Sequence, residues 1–283
     1  MPHPSPEPRV PSPATIAFIG GGNMARSLIG GLIARGQAPA SIHVAEPVEA
    51  LRDPLQRDFG VECADSAATS AAGAGVWLLA VKPQVMREVC AGLASLAQAQ
   101  RPLVISIAAG ITTAQLDGWL GGGLPVVRAM PNTPALLGVG ITGLFANPRT
   151  DAAQRERAAA LLEAVGPTVW IDDESRMDAV TAVSGSGPAY VFLLAEAMQA
   201  AGVAQGLSPE ASRALVQQTL LGAATMLTRL EEPADVLRAR VTSPGGTTQA
   251  AIETFEAGGF RDLVARAIAA ATERGRQLSA AND

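Results

Sequence analysis

Apolar residues along this chain fall into two regimes. In the N-terminal part they gather in short runs at residues 15–19, 76–81 and 103–107, with further strand signals at 42–45, 125–129, 140–145 and 168–171. Continuous runs of this length predict strands buried on both faces of a parallel sheet. After the first run, Met24, Leu28, Leu32 and Ile33 recur at helical spacing over 23–35. From Glu174 onward the periodicity turns helical, predicting helices over 178–202, 208–230, 234–240 and 248–279. Ile252, Phe255, Phe260, Leu263, Val264, Ala267 and Ile268 are the expected buried face of the last. The fold class is therefore α/β, with a doubly wound sheet over 14–171 followed by an all-α domain over 172–283. Residues 1–13, rich in Pro, read as a disordered tail.

Composition narrows the possibilities. A chain of 283 residues has room for two cores. Although 48% of it is hydrophobic, it has no apolar run of about 18 residues, so no membrane span is expected. Its start has neither an apolar signal core nor an Arg-rich amphipathic face, and the expected location is cytoplasmic. A net charge of −5 without basic clusters argues against nucleic acid as a main partner and against an anionic membrane surface. Cys63 and Cys90 stand outside any metal or disulfide pattern and read as buried, inert thiols, and no metal site is signalled. His3 lies in the tail and His43 on a strand, which removes histidine from acid/base chemistry. Lys82 is the only lysine in the chain. The helical segment, with Leu215, Leu220, Ala223, Met226 and Leu227 on its apolar faces, makes a thin core by itself. Dimerisation through it is the expected remedy, with a self-sufficient bundle as the alternative.

Three constellations carry candidate chemistry. The first is Gly20-x-Gly22-x-x-Ala25 between a strand and a helix, the dinucleotide fingerprint of a Rossmann-type fold. Ile19, Gly20, Gly21, Gly22, Asn23 and Met24 are expected around the cofactor pyrophosphate. Glu46, at the end of the second strand, is placed to accept hydrogen bonds from the adenosine ribose, which favours NADH over NADPH; Arg52 offsets this. Ala80, Val81, Lys82, Pro83, Ile107, Ala108 and Ala109 end neighbouring strands and should border the nicotinamide half. For Lys82 a phosphate or ribose contact is expected rather than catalysis. Met130 to Pro134 reads as a rigid loop under the cofactor or as an ordinary turn.

The second constellation, Val183 to Tyr190, is dense in small residues and allows close approach of a helix or of the cofactor, although packing alone also accounts for it. The third runs from Val241 through Ser243, Pro244, Gly245, Gly246 and Thr247 to Thr248. Hydroxyls and unpaired N–H groups at a helix start form a socket suited to a carboxylate, and an elaborate cap is the alternative.

The motifs Phe18-Ile-Gly-Gly-Gly-Asn-Met24, Ala80-Val-Lys-Pro83, Ser106-Ile-Ala-Ala-Gly110, Arg128-Ala-Met-Pro-Asn-Thr-Pro134, Ala182-Val-Ser-Gly-Ser-Gly-Pro-Ala-Tyr190 and Val241-Thr-Ser-Pro-Gly-Gly-Thr-Thr248 together resemble pyrroline-5-carboxylate reductase. The resemblance runs from Ala14 to about Ser279, and its last motif is the most specific. It implies reduction of 1-pyrroline-5-carboxylate to L-proline by NADPH or NADH, the final step of proline synthesis. A Rossmann domain, a helical dimerisation domain, and dimers that assemble into decamers are implied as well. Ser243, Gly246, Thr247 and Thr248 are then expected around the substrate, with Glu174 and Arg240 as further contacts.

The scarcity of ionisable groups agrees with that chemistry. Reducing a ketone generally needs a positioned acid, whereas a cyclic imine arrives protonated and hydride addition discharges the cation. Thr248 is the candidate catalytic residue, its hydroxyl hydrogen-bonding the ring nitrogen while the helix start holds the carboxylate. Two rivals differ in what they require. A β-hydroxyacid dehydrogenase-like reductase commonly uses a lysine in its second domain, and this chain has none there. A dinucleotide-sensing interaction protein would bind cofactor without oxidising it in the presence of the imine.

Overall fold

The computed structural model describes residues 15–281, so the tail expected at 1–13 lies outside the described residues. Within them eight strands form one sheet in the order β3-β2-β1-β4-β5-β6-β7-β8. These are β1 (Ile16–Ile19), β2 (Ile42–Ala45), β3 (Glu62–Ala64), β4 (Val76–Leu79), β5 (Leu103–Ser106), β6 (Val126–Met130), β7 (Thr142–Ala146) and β8 (Thr168–Trp170). Helices α1 (Asn23–Ala34), α2 (Glu49–Phe59), α3 (Ala67–Ala71), α4 (Pro83–Gln100), α5 (Thr113–Trp119) and α6 (Ala152–Leu162) lie between them in sequence.

The period-two geometry of a strand explains the double winding. In β1, Ile16 and Phe18 face one core with Leu28, Ile29 and Ala158, while Ala17 and Ile19 face another with Trp77, Met86 and Cys90. A strand covered on both sides has no wet face, so every position is apolar. The chain order reverses between β1 and β4, where a doubly wound sheet opens a crevice beyond the carboxyl ends of its strands.

Two features depart from the sequence expectation. β3 has only three residues and no apolar run, and its pairing with β2 rather than its composition makes it a strand. β7 runs antiparallel to β6, because the chain returns through a short 3-10 turn (Thr133–Leu137) instead of the long crossover that a parallel return requires.

The helical part follows as α7 (Met177–Val180), a π-helical stretch (Thr181–Gly185), α8 (Gly187–Ala204), α9 (Pro209–Arg229), α10 (Ala234–Arg240), α11 (Thr247–Ala257) and α12 (Phe260–Ala280). The expected single helix over 178–202 is thus interrupted. Pro188 cannot donate to the preceding turn, so α8 starts afresh there. The expected helix over 248–279 is broken at Gly258 and Gly259, the latter at φ +71.

Two compact units result, one holding the chain as far as Gly185 together with the residues from Thr272 on, the other Ser186–Ala271. The sheet ends at Trp170, but the packing division comes later, because side chains between the two points bind to the sheet. Buried Arg128 on β6 donates from Nη2 to Asp178 Oδ1 on α7 at 3.0 Å and faces Glu174 Oε1 at 3.8 Å. On α12, Gly275 lies against Asp178, and a Cβ there would stand 3.1 Å from the Asp178 Cβ.

In the Ser186–Ala271 unit the expected buried face is not buried in the single chain. Phe255, Phe260, Leu263 and Val264 are 44–56% exposed, and Leu215, Met226 and Leu227 are exposed too. Uncovered apolar residues on several helices mark an interaction surface rather than a finished core.

Candidate functional site

The glycine turn sits at the β1/β4 switch point. Gly20 adopts φ +106, and a Cβ there would stand 2.8 Å from the carbonyl group of Ala80, so both the turn and its contact with β4 require glycine. Its N–H donates to Ala45 O at 2.8 Å, which ties the end of β1 to the end of β2. Gly22 is different. It caps α1 in an extended conformation with no side-chain bond, and a Cβ there would meet nothing within 4 Å. The space over the turn is therefore open and faces the uncapped start of α1, where Asn23 and Met24 lie. An anionic diphosphate fits such a place: backbone donors, a favourable helix dipole and no side chain in the way.

Beside the turn a cleft of about 520 Å³ is lined by Ile19, Ala45, Pro47, Val81 and Val85, with Ser66 and Asp65 at the end of β3. Apolar walls with a few polar groups suit an adenosine moiety. Asp65, Ser66 and Val85 were not candidates from the sequence, since their place depends on β3, which has no apolar signature. Ala80 and Val81 follow β4, and Lys82 caps α4 just before Pro83, its side chain exposed and without an acidic partner among the described residues. Ile107, Ala108 and Ala109 follow β5, with the buried Ala108 N–H bonded to Ser106 Oγ at 3.3 Å. The structure thus gathers the expected cofactor residues at one sheet edge.

Glu46 stands at the end of β2 as expected, and both oxygens of its carboxylate hold backbone amides. Oε2 accepts the Gly21 N–H at 2.9 Å and Oε1 accepts the Val48 N–H at 3.0 Å, and the residue is 6% exposed. Arg52 does not offset its charge directly; the guanidinium donates to the Glu46 carbonyl oxygen at 3.0 Å.

The loop from Met130 to Pro134 is anchored rather than free. Asn132 accepts the Ile141 N–H at 3.0 Å and donates to Ser184 O at 3.2 Å, which brings the second constellation to the loop after β6. Close approach is the use of its small residues: a Cβ on Gly185 would stand 2.6 Å from Met130 Cε.

At the third constellation α11 begins at Thr247 with Gly246 as its cap and no side-chain capping bond. Gly245, at φ +72, turns the chain into the helix, and its N–H donates to Gln249 Oε1 at 2.7 Å. The N–H groups of Thr247, Thr248 and Gln249 and the hydroxyls of Ser243, Thr247 and Thr248 have no partner among the described residues. Such a set can receive a carboxylate. Glu174 and Arg240, the two further expected contacts, each have partners of their own. Glu174 accepts the Thr113 N–H and hydroxyl, each at 2.7 Å, and faces Arg128. Arg240 pairs with Glu232 at 2.6 Å. Both side chains are already committed to neighbours.

Neither thiol belongs to these places. Burial pushes the Cys90 thiol up to about 12 and raises that of half-buried Cys63 as well. Treating the folded protein with iodoacetamide at neutral pH should leave its activity intact; rapid inactivation that follows modification of either cysteine would contradict the assignment.

Residues 15–110 match the family model described as NADP oxidoreductase coenzyme F420-dependent, and residues 174–278 match the model described as pyrroline-5-carboxylate reductase dimerisation. The pyrroline-5-carboxylate reductase of Pseudomonas aeruginosa is 53% identical over 265 residues, covering 93% of this chain and 96% of that protein. The chain belongs to the pyrroline-5-carboxylate reductase family. A solved reductase structure from Coxiella burnetii is similar at a TM-score of 0.91 and 43% identity, covering 94% of this chain and 98% of that one. The Plasmodium falciparum pyrroline carboxylate reductase with NADP bound follows at 0.82 and 28% identity, covering 94% and 98%. The dimerisation model spans the helices whose apolar faces lie exposed, so the reductase is a homo-oligomer and an NAD(P)-dependent oxidoreductase.

Proposed function

We propose that this chain carries out its family's reaction, reduction of 1-pyrroline-5-carboxylate to L-proline with NADPH or NADH, using two separate sets of its own residues. The glycine turn from Ile19 to Met24 holds the cofactor diphosphate, and the ends of β4 and β5, Ala80 to Pro83 and Ile107 to Ala109, flank the rest. Bound NAD(P)H supplies the hydride. The start of α11 receives the substrate carboxylate on the N–H groups of Thr247 and Thr248, with Ser243 and Gly246 completing the socket. Thr248 Oγ1 accepts a hydrogen bond from the protonated ring nitrogen and so orients the C=N carbon. Once hydride has added to that carbon, the cation is discharged to a neutral secondary amine, and the chain need not deliver a proton at the step. Residues 172–283 serve as substrate-binding and dimerisation domain, and 14–171 as the cofactor domain.

The observation that carries this assignment is the pairing of two uncapped helix starts, α1 behind a glycine turn and α11 behind Ser243 to Gly246, each with donors that have no partner among the described residues. One start suits a diphosphate and the other a carboxylate. Gly22→Ala tests the first directly. The Cβ has free space and an allowed backbone, so folding stability should stay within about 1 kcal/mol of the parent. The KM for NADH and NADPH should nevertheless rise ~10-fold or more, because the methyl takes the space that the ligand needs, a loss of about 1.4 kcal/mol in binding. Unchanged KM for both cofactors would defeat this placement of the diphosphate.

Dimers that assemble further into a decamer, in the cytoplasm, complete the proposal. Exposed apolar faces on α8, α9, α11 and α12 support the first step of assembly. Light scattering on the purified protein should give a mass that is a multiple of two chains, and a monomer at micromolar concentration would refute it.

A further inference from the structure

The glycine turn has no side chains of its own to fix it, and the structure shows what restrains it. Three consecutive glycines lose more conformational freedom on ordering than any other residues would. Gly21, the middle one, is buried, and the acceptor of its N–H is Glu46 Oε2, 25 positions along the chain. The other oxygen, Oε1, takes the N–H of Val48, the residue that caps α2. The rest of Glu46 is held equally well. Its N–H donates to Ala64 O at 2.9 Å, and its carbonyl oxygen accepts from Arg52. The stem of the side chain packs on the turn, since a Cβ on Gly21 would stand 3.1 Å from Glu46 Cβ and 2.7 Å from Leu55 Cδ1.

We propose that Glu46 is a positioning residue: its carboxylate ties the glycine turn to the start of α2 and so sets the diphosphate-binding amides, and it does not choose between NADH and NADPH by its charge. The proposal rests on the placement of the diphosphate at the glycine turn. A carboxylate with each oxygen on a backbone amide is held in place by both, and losing it would leave the Gly21 N–H buried without an acceptor. A carboxylate that selected NADH would instead have to face the ribose hydroxyls and repel a 2′-phosphate.

The two roles differ in Glu46→Gln, which keeps the volume. A glutamine can accept only one of the two N–H groups, because its amide nitrogen would face the other donor. Affinity for NADH and for NADPH, measured by quenching of protein fluorescence, should weaken together by about 5- to 10-fold, the loss of one charge-assisted hydrogen bond. The ratio between the cofactors should stay within about 2-fold of the parent, and kcat at saturating cofactor should be retained. In the cofactor-free protein, hydrogen exchange should quicken in peptides that contain Gly21 and Val48, a readout that needs neither substrate nor cofactor. Glu46→Asp, too short to reach both amides, should behave alike.

A gain of about 10-fold for NADPH relative to NADH in Glu46→Gln would make the residue a charge gate and overturn the proposal. Unchanged exchange together with unchanged affinities would overturn it as well. Gly22→Ala keeps the two questions apart, because it probes the diphosphate placement while leaving the Glu46 bonds in place: faster exchange at Gly21 in Glu46→Gln with wild-type cofactor binding in Gly22→Ala would fault the placement and not the tie.

Discussion

Asp178→Ala should lower the stability of the sheet-containing unit by about 3 kcal/mol, the lower end of the cost typical of breaking a buried ion pair, because Glu174 remains near Arg128. Arg128 is almost wholly buried, and Asp178 Oδ1 receives its Nη2 at 3.0 Å across 50 positions of sequence. Glu174 adds a second carboxylate at 3.8 Å and spends its own lone pairs on Thr113. Removing Asp178 takes the closer carboxylate from a buried guanidinium, leaves it Glu174 at 3.8 Å, and opens a gap against Gly275 on α12. Urea unfolding should show the loss as a lower midpoint at similar slope. Asp178→Asn keeps an acceptor of the same shape and should cost less than the alanine. An alanine variant within about 1 kcal/mol of the parent would show that Glu174 suffices as the partner of Arg128. Joint replacement of Arg128 and Asp178 by Met and Leu should recover much of the loss, since the desolvation of both charges disappears with them.

Thr248→Ala should reduce kcat ~100-fold with little change in thermal stability, in the range reported for removing a single oriented hydrogen-bonding group from a reacting centre. The hydroxyl is half-buried and has no partner among the described residues, so its removal leaves no native hydrogen bond broken. Thr248→Val tests the same point with the volume kept, and Thr248→Ser should restore most of the turnover. On the proposed placement the ring nitrogen meets Thr248 at the step where the imine carbon becomes tetrahedral, so the loss is expected in kcat more than in KM. Wild-type turnover of the alanine variant at saturating substrate would remove Thr248 from the reaction and leave the socket with a binding role alone.

These effects differ in how far they can be foreseen from the chain. The strands of the sheet, the glycine turn at Gly20 to Gly22 and the α11 start at Thr247 are local features, each written within a few neighbouring residues, and all three stand at the places that their patterns indicate. Short or composite elements were less legible. β3 exists because β2 offers an edge to pair with, and the break at Gly258 and Gly259 was hidden by apolar periodicity that continues on both sides. The faces of Phe255, Phe260 and Leu263 were readable as apolar but not as uncovered, because burial depends on which elements the fold packs against them.

By itself, then, the sequence determined the double winding of the sheet, the place of the dinucleotide turn, the poverty of acid/base groups and the carboxylate-shaped helix start. Those properties follow from periodicity, from glycine and proline, and from residue counts, none of which needs a distant partner. Tertiary structure decided the employment of the charged side chains. Glu46 went to the Gly21 and Val48 amides, Glu174 to Thr113 and Arg128, and Asp178 to Arg128. A carboxylate at a strand end looks alike whether it will meet a ribose or a backbone N–H, and only the folded chain brings residues 25, 50 or 61 positions apart within hydrogen-bond reach.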